Sequence, residues 1–157
     1  MKNPEKHRST KIREAKVDDY SVCLPLLTAL YHGDIGSDFR RTFEDFVESE
    51  NGVVLIAENT IVLGVLVGGY HLDIDWEGKT AKIDALVVDE PYRKQGIGTE
   101  LVRHFLAEAK RKVCKAAKSR VNTENFVAQE FHKTLGFTKA KTYEYFLDFV
   151  HPPEKLP

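Results

Sequence analysis

The sequence predicts an α/β protein with a mixed, mostly antiparallel central sheet flanked by helices. Three observations carry this expectation. The apolar pattern switches between strand-like runs and helical spacing in the order β, α, α, β, β, β, α, β, α, β. The early strands follow one another through short turns, as antiparallel neighbours do, whereas the later ones alternate strand–helix–strand. The 157 residues, 42% hydrophobic and 30% charged, suit a single domain with a buried core, spanning 1–157 with loose ends at 1–9 and 151–157.

The elements follow in order. Thr10–Ala15 reads as a short strand. Val17–Tyr31 carries Val22, Leu26, Leu27 and Leu30 at helical spacing, with Asp18 placed to cap its first turn. After the His-Gly-Asp-Ile-Gly-Ser-Asp loop, Phe39, Phe43, Phe46 and Val47 mark a second helix. Val53–Ala57 and Ile61–Tyr70 read as strands around Glu58-Asn59-Thr60, although Gly64 and Gly68-Gly69 weaken the second. A turn near Asp75–Gly78 leads into the strand Thr80–Val88. Gly96–Val113 is a long amphipathic helix, with Ile97, Leu101, Phe105, Ala109 and Val113 on one stripe. Ala116–Val121 is a short strand, and Asn125–Leu135 a helix stopped by Gly136 at the position after its last turn. Phe137–Val150 is expected to finish the sheet.

Composition excludes several classes. No run approaches the roughly 20 apolar residues needed to span a bilayer, so no membrane association is expected. Met1–Lys16 is polar, unlike a signal peptide. Cys23 and Cys114 sit on apolar patterns without metal-ligand spacing, which predicts reduced thiols in a cytoplasmic protein and no metal site. The basic residues Lys110, Arg111, Lys112, Lys115, Lys118 and Arg120 lack interleaved aromatics, and the net charge is −1, which argues against nucleic acid. That charge is unevenly spread: residues 18–90 hold 15 acidic and four basic side chains, residues 100–141 ten basic and four acidic.

The sharpest local signal is the run from Leu86 to Thr99. An apolar strand (Leu86, Val87, Val88) ends, a polar turn follows, and Gly96 and Gly98 stand where a long helix begins. The N-terminus of a helix offers unpaired N–H groups and partial positive charge to an anion. Glycines allow a close approach, and Arg93 and Lys94 add charge. The pattern is neither a P-loop, which needs Gly-Lys-Ser/Thr, nor a dinucleotide fingerprint, which wants glycine where Leu101 stands.

Arg93-x-x-Gly96-x-Gly98 after Leu-Val-Val, followed by Asn125-x-x-Ala128-x-x-Phe131 and Leu135-Gly136-Phe137, resembles the GNAT acetyltransferase superfamily. The resemblance implies the acyl-CoA N-acyltransferase fold and transfer of an acetyl group from acetyl-coenzyme A to an amine within a ternary complex. It implies that Arg93, Lys94, Gln95, Gly96, Ile97, Gly98 and Thr99 hold the pyrophosphate, and that Leu86, Val87 and Val88 receive the pantetheine arm where strands splay around a bulge. It gives Asn125 a side-chain bond to the pantetheine; capping the following helix is the other reading of the same residue. It also allows a homodimer.

Where the family often has a tyrosine acid, this chain has His132, which can donate a proton near neutral pH, with Tyr143 a weaker substitute. The missing tyrosine also admits an alternative, a coenzyme A binding module with little catalysis. A lysine-like amine is neutral about once in a thousand molecules at pH 7, so a base assists. Strand alternation is expected to put Lys82, Asp84, Leu86 and Val88 on one face. Asp84 is the preferred base, with a structural ion pair to Lys82 or an arginine as the other reading, and the Val88 N–H is placed for the oxyanion. Asp34, Asp38, Asp73, Asp75, Glu77 and Asp84 fall in segments that build the acceptor site in this fold. They suggest a cationic amine, with Tyr31, Tyr70 and Trp76 as candidate aromatic contacts.

Overall fold

A computed structural model describes residues 10–151; the lead-in expected at 1–9 and the tail residues 152–157 lie outside the described residues. The chain divides into two compact units, one ending at Arg120 and the other starting at Val121. The first unit contains, in chain order, β1 (Lys11–Glu14), α1 (Tyr20–Leu30), α2 (Phe39–Glu48), β2 (Gly52–Glu58), β3 (Val62–Asp73), β4 (Gly78–Val88), α3 (Ile97–Arg111) and β5 (Ala116–Ser119). The sheet order is β1-β2-β3-β4-β5. The first three pairings are antiparallel and β4 runs parallel to β5, which is the mixed, mostly antiparallel sheet expected.

Both faces of the sheet are covered. On one, Cys23 and Leu27 of α1 and Phe43 of α2 pack with Val54, Ile56, Val65, Val67, Ala85 and Val87. On the other lies α3, whose Leu101, Val102 and Phe105 are fully buried, each worth about 2 kcal/mol of apolar burial. The β3 glycines that weaken the strand on propensity are what let α3 lie against it. A Cβ on Gly64 would come within 3.1 Å of the Leu101 side chain, and one on Gly68 within 3.0 Å of the Phe105 ring and 2.5 Å of the Lys82 carbonyl. Val22, expected on the buried stripe of α1, is half exposed, and Cys23 takes its place in the core. Asp18 does not cap the helix. Its neighbour Asp19 instead accepts the Lys16 N–H at 2.7 Å and both terminal nitrogens of Arg13 at 2.7 and 2.9 Å. Arg13 also grips Glu58 across the β1–β2 pair at 2.8 and 2.9 Å.

The second unit holds α4 (Phe126–Thr134). Gly136 ends it in the left-handed conformation (φ 89°), with the Gly136 and Phe137 N–H groups donating to the carbonyls of Lys133 and His132 at 3.0 and 3.1 Å. The strand expected over Phe137–Val150 does not form. This stretch is irregular, and Tyr143, Tyr145, Phe146 and Phe149 are about nine-tenths exposed. Aromatic content gives a segment β-propensity, but a strand also needs a ladder partner and a face to bury, which the composition of 137–150 alone does not supply.

Candidate functional site

Register decides which groups of β4 are available to a ligand. β3 and β4 pair residue for residue from Gly64↔Val88 to Val67↔Ala85, then resume at Gly68↔Ile83, so Asp84 is an extra residue with no partner on β3. This bulge overturns the simple alternation expected for Lys82, Asp84, Leu86 and Val88. Residues opposite each other share a face. Leu86 and Val88 lie opposite Leu66 and Gly64, on the side of α3, whereas Lys82, opposite Gly69, shares its side with Ala85 and Val87. The Asp89 N–H donates to the Leu63 carbonyl at 2.8 Å, which makes Gly64↔Val88 a non-hydrogen-bonded pair. The backbone N–H and C=O of Val88, and by the same alternation those of Leu86, therefore point away from β3. β5 pairs only with Thr80–Ile83, so the edge of β4 from Asp84 onward lies beyond its reach.

Beyond Val88 the chain makes a single turn of 3₁₀ helix at Glu90–Tyr92 and enters α3 through two left-handed residues, Lys94 (φ 56°) and Gly96 (φ 88°). Arg93 is tied back by its Nε, which donates to the Val88 carbonyl at 2.9 Å, and Gln95 by its side-chain amide to the Pro91 carbonyl at 3.1 Å. Gly96 occupies the cap position of α3, and no side chain caps the helix there. A Cβ on Gly96 would meet no atom within 4 Å. The glycine thus serves backbone conformation and open space, not packing. Ile97 turns into the core while Gly98 and Thr99 remain half-buried in the first turn. Uncapped N–H groups, a positive helix end and two cationic side chains fit a phosphate group.

Asp84 pairs with Lys82 at 3.0 Å, the structural ion pair that sequence left open, with side chains 24% and 38% exposed. Tyr31, at the end of α1, lies within electrostatic range of the same carboxylate. Burial first, and then the Asp84 charge, push its phenol above the ordinary value, while Arg120 acts the other way. Its ring rests edge-on against Phe39 at 5.8 Å. Tyr70 does not join them: it is buried, stacked on Phe105 at 5.9 Å. Trp76 is half exposed in the β3–β4 hairpin. Asp73 is held by Lys118, so two of the six acidic residues expected to face an acceptor are already ion-paired.

In the second unit the Asn125 side chain accepts the Ala128 N–H at 3.0 Å and caps α4. His132 lies between Phe131 and Phe137, at 5.6 and 5.3 Å, with Nδ1 2.7 Å from the Ala128 carbonyl. A carbonyl only accepts, so Nδ1 carries a proton in that bond.

Residues 17–137 match the acetyltransferase (GNAT) family. The chain belongs to this family. An uncharacterized N-acetyltransferase of Methanocaldococcus jannaschii is 32% identical over 94 residues, 57% of this chain; the match spans only 42% of that relative's length. Solved structures share the GNAT fold at lower identity. A transcriptional regulator from Bacillus halodurans aligns at 23% identity and TM-score 0.79, covering 89% of this chain and 99% of that one. An aminoglycoside antibiotic 6'-N-acetyltransferase from Acinetobacter baumannii aligns at 20% and 0.79, covering 91% and 100%. An aminoglycoside N-acetyltransferase in complex with CoA aligns at 17% and 0.81, covering 89% and 95%. One feature of this GNAT chain escaped sequence reasoning: the position of the bulge at Asp84, which leaves no mark on apolar periodicity.

Proposed function

We propose that the protein is an acetyl-CoA-dependent N-acetyltransferase that acts on a cationic amine by direct transfer. The observation that carries this reading is the continuity of two ligand-ready backbones. The outward-facing groups of Leu86 and Val88 run directly into the uncapped, glycine-opened start of α3. A pantetheine arm pairing with the first would place its pyrophosphate on Arg93–Thr99. Thr99 and Ile97 contribute backbone N–H groups there, and Lys94 and Arg93 neutralise charge.

The acceptor nitrogen attacks the thioester carbonyl, and the Val88 N–H bonds the developing oxyanion. Asp84 takes the proton released from nitrogen, with its carboxylate held by Lys82. The C–S bond then breaks and the departing thiolate takes a proton, for which His132 is the proposed donor. Because Nδ1 already donates to Ala128, the ring delivers a proton through Nε2 only as the imidazolium. Asn125 keeps its capping role, and its free amide hydrogens are not needed for the cap. The aminoglycoside enzymes of the same fold are consistent with a polyamine-like acceptor, as is the excess of acidic residues over 18–90.

The test has two arms. Coenzyme A at millimolar concentration should raise the melting temperature, and Gly98→Asp should abolish the rise without unfolding the protein. A panel of amines scored by free-thiol release should then identify an acceptor. A folded protein with no response to coenzyme A overturns the reading. A response with no turnover on any amine would favour the binding module instead.

A further inference from the structure

The second unit leaves uncovered what a folded chain ordinarily buries. Tyr143, Tyr145, Phe146 and Phe149 fall in one short run and are each about nine-tenths exposed, with Val150 almost as open and Leu147 half exposed. Helix α4 of the same unit buries no residue, and Phe126 and Val127 in its first turn are 72% and 75% exposed. Aromatic side chains bury roughly 150–250 Å² each when covered, so four of them, nine-tenths open, offer about 550–900 Å². The largest apolar patch on a typical monomer is about 300–600 Å², and a stable dimer takes about 800 Å² from each partner. This run is oversized for a free surface and matches one half of a dimer interface.

The order of its residues says what fits against it. Extended, the run alternates: Tyr143, Tyr145, Leu147 and Phe149 share one face, and Glu144, Phe146, Asp148 and Val150 the other. The Asp148 carboxylate accepts the Val150 and His151 N–H groups, both at 2.8 Å, which stops a strand at Phe149. Such a strand lacks a ladder partner, and a second copy of itself supplies one. Antiparallel pairing about a two-fold axis through a residue sets odd positions opposite odd ones, so the two apolar faces coincide. An axis through Leu147 places Tyr145 opposite Phe149 and Phe146 opposite Asp148. An axis through Phe146 would place Glu144 opposite Asp148, like charges that destabilise the pair.

We propose that 143–149 is a dimerisation strand, which pairs antiparallel with the same segment of a second copy about Leu147. A two-stranded ribbon is marginal in water by itself, and the exposed Phe126 and Val127 of α4 are the apolar surface that backs it. The inference is independent of the acetyl-transfer reading.

The experiment combines sedimentation, hydrogen exchange and cross-linking on the full chain. At high micromolar concentration wild type should sediment at twice 17.9 kDa, with the amides of 143–149 protected from exchange. Tyr145→Glu/Phe149→Glu, which sets like charges opposite one another on an exposed segment, should weaken dimerisation at least tenfold and strip that protection while the protein stays folded. Leu147→Cys should form disulfide-linked dimers at least tenfold faster than Tyr143→Cys, above the wild-type background of Cys23 and Cys114. Residues facing across the axis have Cα atoms about 4.5–5.5 Å apart, within disulfide range, whereas residue 143 lies about 27 Å from its own copy. Three results would overturn the inference: a monomeric wild type, whether or not 143–149 is protected; undiminished dimerisation in the double glutamate variant; or equal cross-linking at 143 and 147. Absence of acetyl transfer with the dimer pattern intact would remove the proposed function and leave the dimerisation strand standing.

Discussion

Gly96→Ala separates what the glycine turn does for the fold from what it does for a ligand. Gly96 holds φ at 88°, a conformation that costs an L-residue about 1–2 kcal/mol. The new methyl meets nothing within 4 Å, so no steric penalty adds to this. For a chain of this length each kcal/mol shifts the melting temperature by roughly 2–4 °C, and the expected loss is about 2–8 °C. Gly68→Ala is the contrasting variant. Its Cβ would lie 2.5 Å from the Lys82 carbonyl and 3.0 Å from the Phe105 ring, so backbone and core must both move, at about 3 kcal/mol or more. Coenzyme A should reverse the ranking. A methyl in the space facing the first turn of α3 is expected to weaken binding tenfold or more, about 1.4 kcal/mol. At a concentration 100 times the wild-type Kd, ligand stabilisation would fall from about 2.7 kcal/mol to about 1.4 kcal/mol, which halves the coenzyme-induced melting shift. Gly68→Ala, if it stays folded, should retain the full shift. Differential scanning fluorimetry with and without coenzyme A reads both quantities. An unchanged coenzyme shift in Gly96→Ala, or a larger stability loss there than in Gly68→Ala, refutes the assignment.

Asp84→Asn should lower turnover about 10²-fold with coenzyme A binding retained; steady-state kinetics that show near-wild-type turnover at neutral pH would remove Asp84 from the mechanism. His132→Gln should lower turnover and slow thiol release with coenzyme A binding retained, as read by steady-state kinetics; unchanged turnover would count against the acid role. A polyamine or lysine-rich peptide should be preferred over an acidic amine of similar size, with the preference in kcat/KM shrinking at high salt, and equal rates would sink the electrostatic reading. Arg13→Leu should cost about 2 kcal/mol at pH 7 in urea unfolding, because Arg13 holds both Asp19 and Glu58 below their ordinary carboxylate values through side-chain hydrogen bonds. Lowered folded-state values give stability that is present above the unfolded values and lost as pH falls through the folded ones, so the deficit should shrink below about pH 4; a deficit that persists in acid would contradict this.

The order of elements from β1 to α4 and the glycine turn into α3 were legible because they rest on local signals: periodicity, a glycine pair and a strand end. What stayed hidden depends on pairing. Apolar alternation runs unbroken through Ile83, Ala85 and Val87, so nothing in β4 alone announces that Asp84 is the extra residue; only its pairing with β3 reveals it. One inserted residue exchanges faces for everything beyond it. It sends Leu86 and Val88 to the side of α3 and leaves Lys82 with Ala85 and Val87. The same limit explains the missing strand at 137–150, where residue type favours β structure but a ladder partner is a tertiary matter. Tyr70 is the aromatic of that set that goes into the core, and Asp73 is ion-paired, because Phe105 and Lys118, remote in sequence, meet them in space. A bulge residue leaves the ladder, so a carboxylate there reaches a partner and solvent without being buried unpaired, which would cost several kcal/mol. In β4 that residue is Asp84, whose charge is met by Lys82 at 3.0 Å while 24% of its side chain stays exposed.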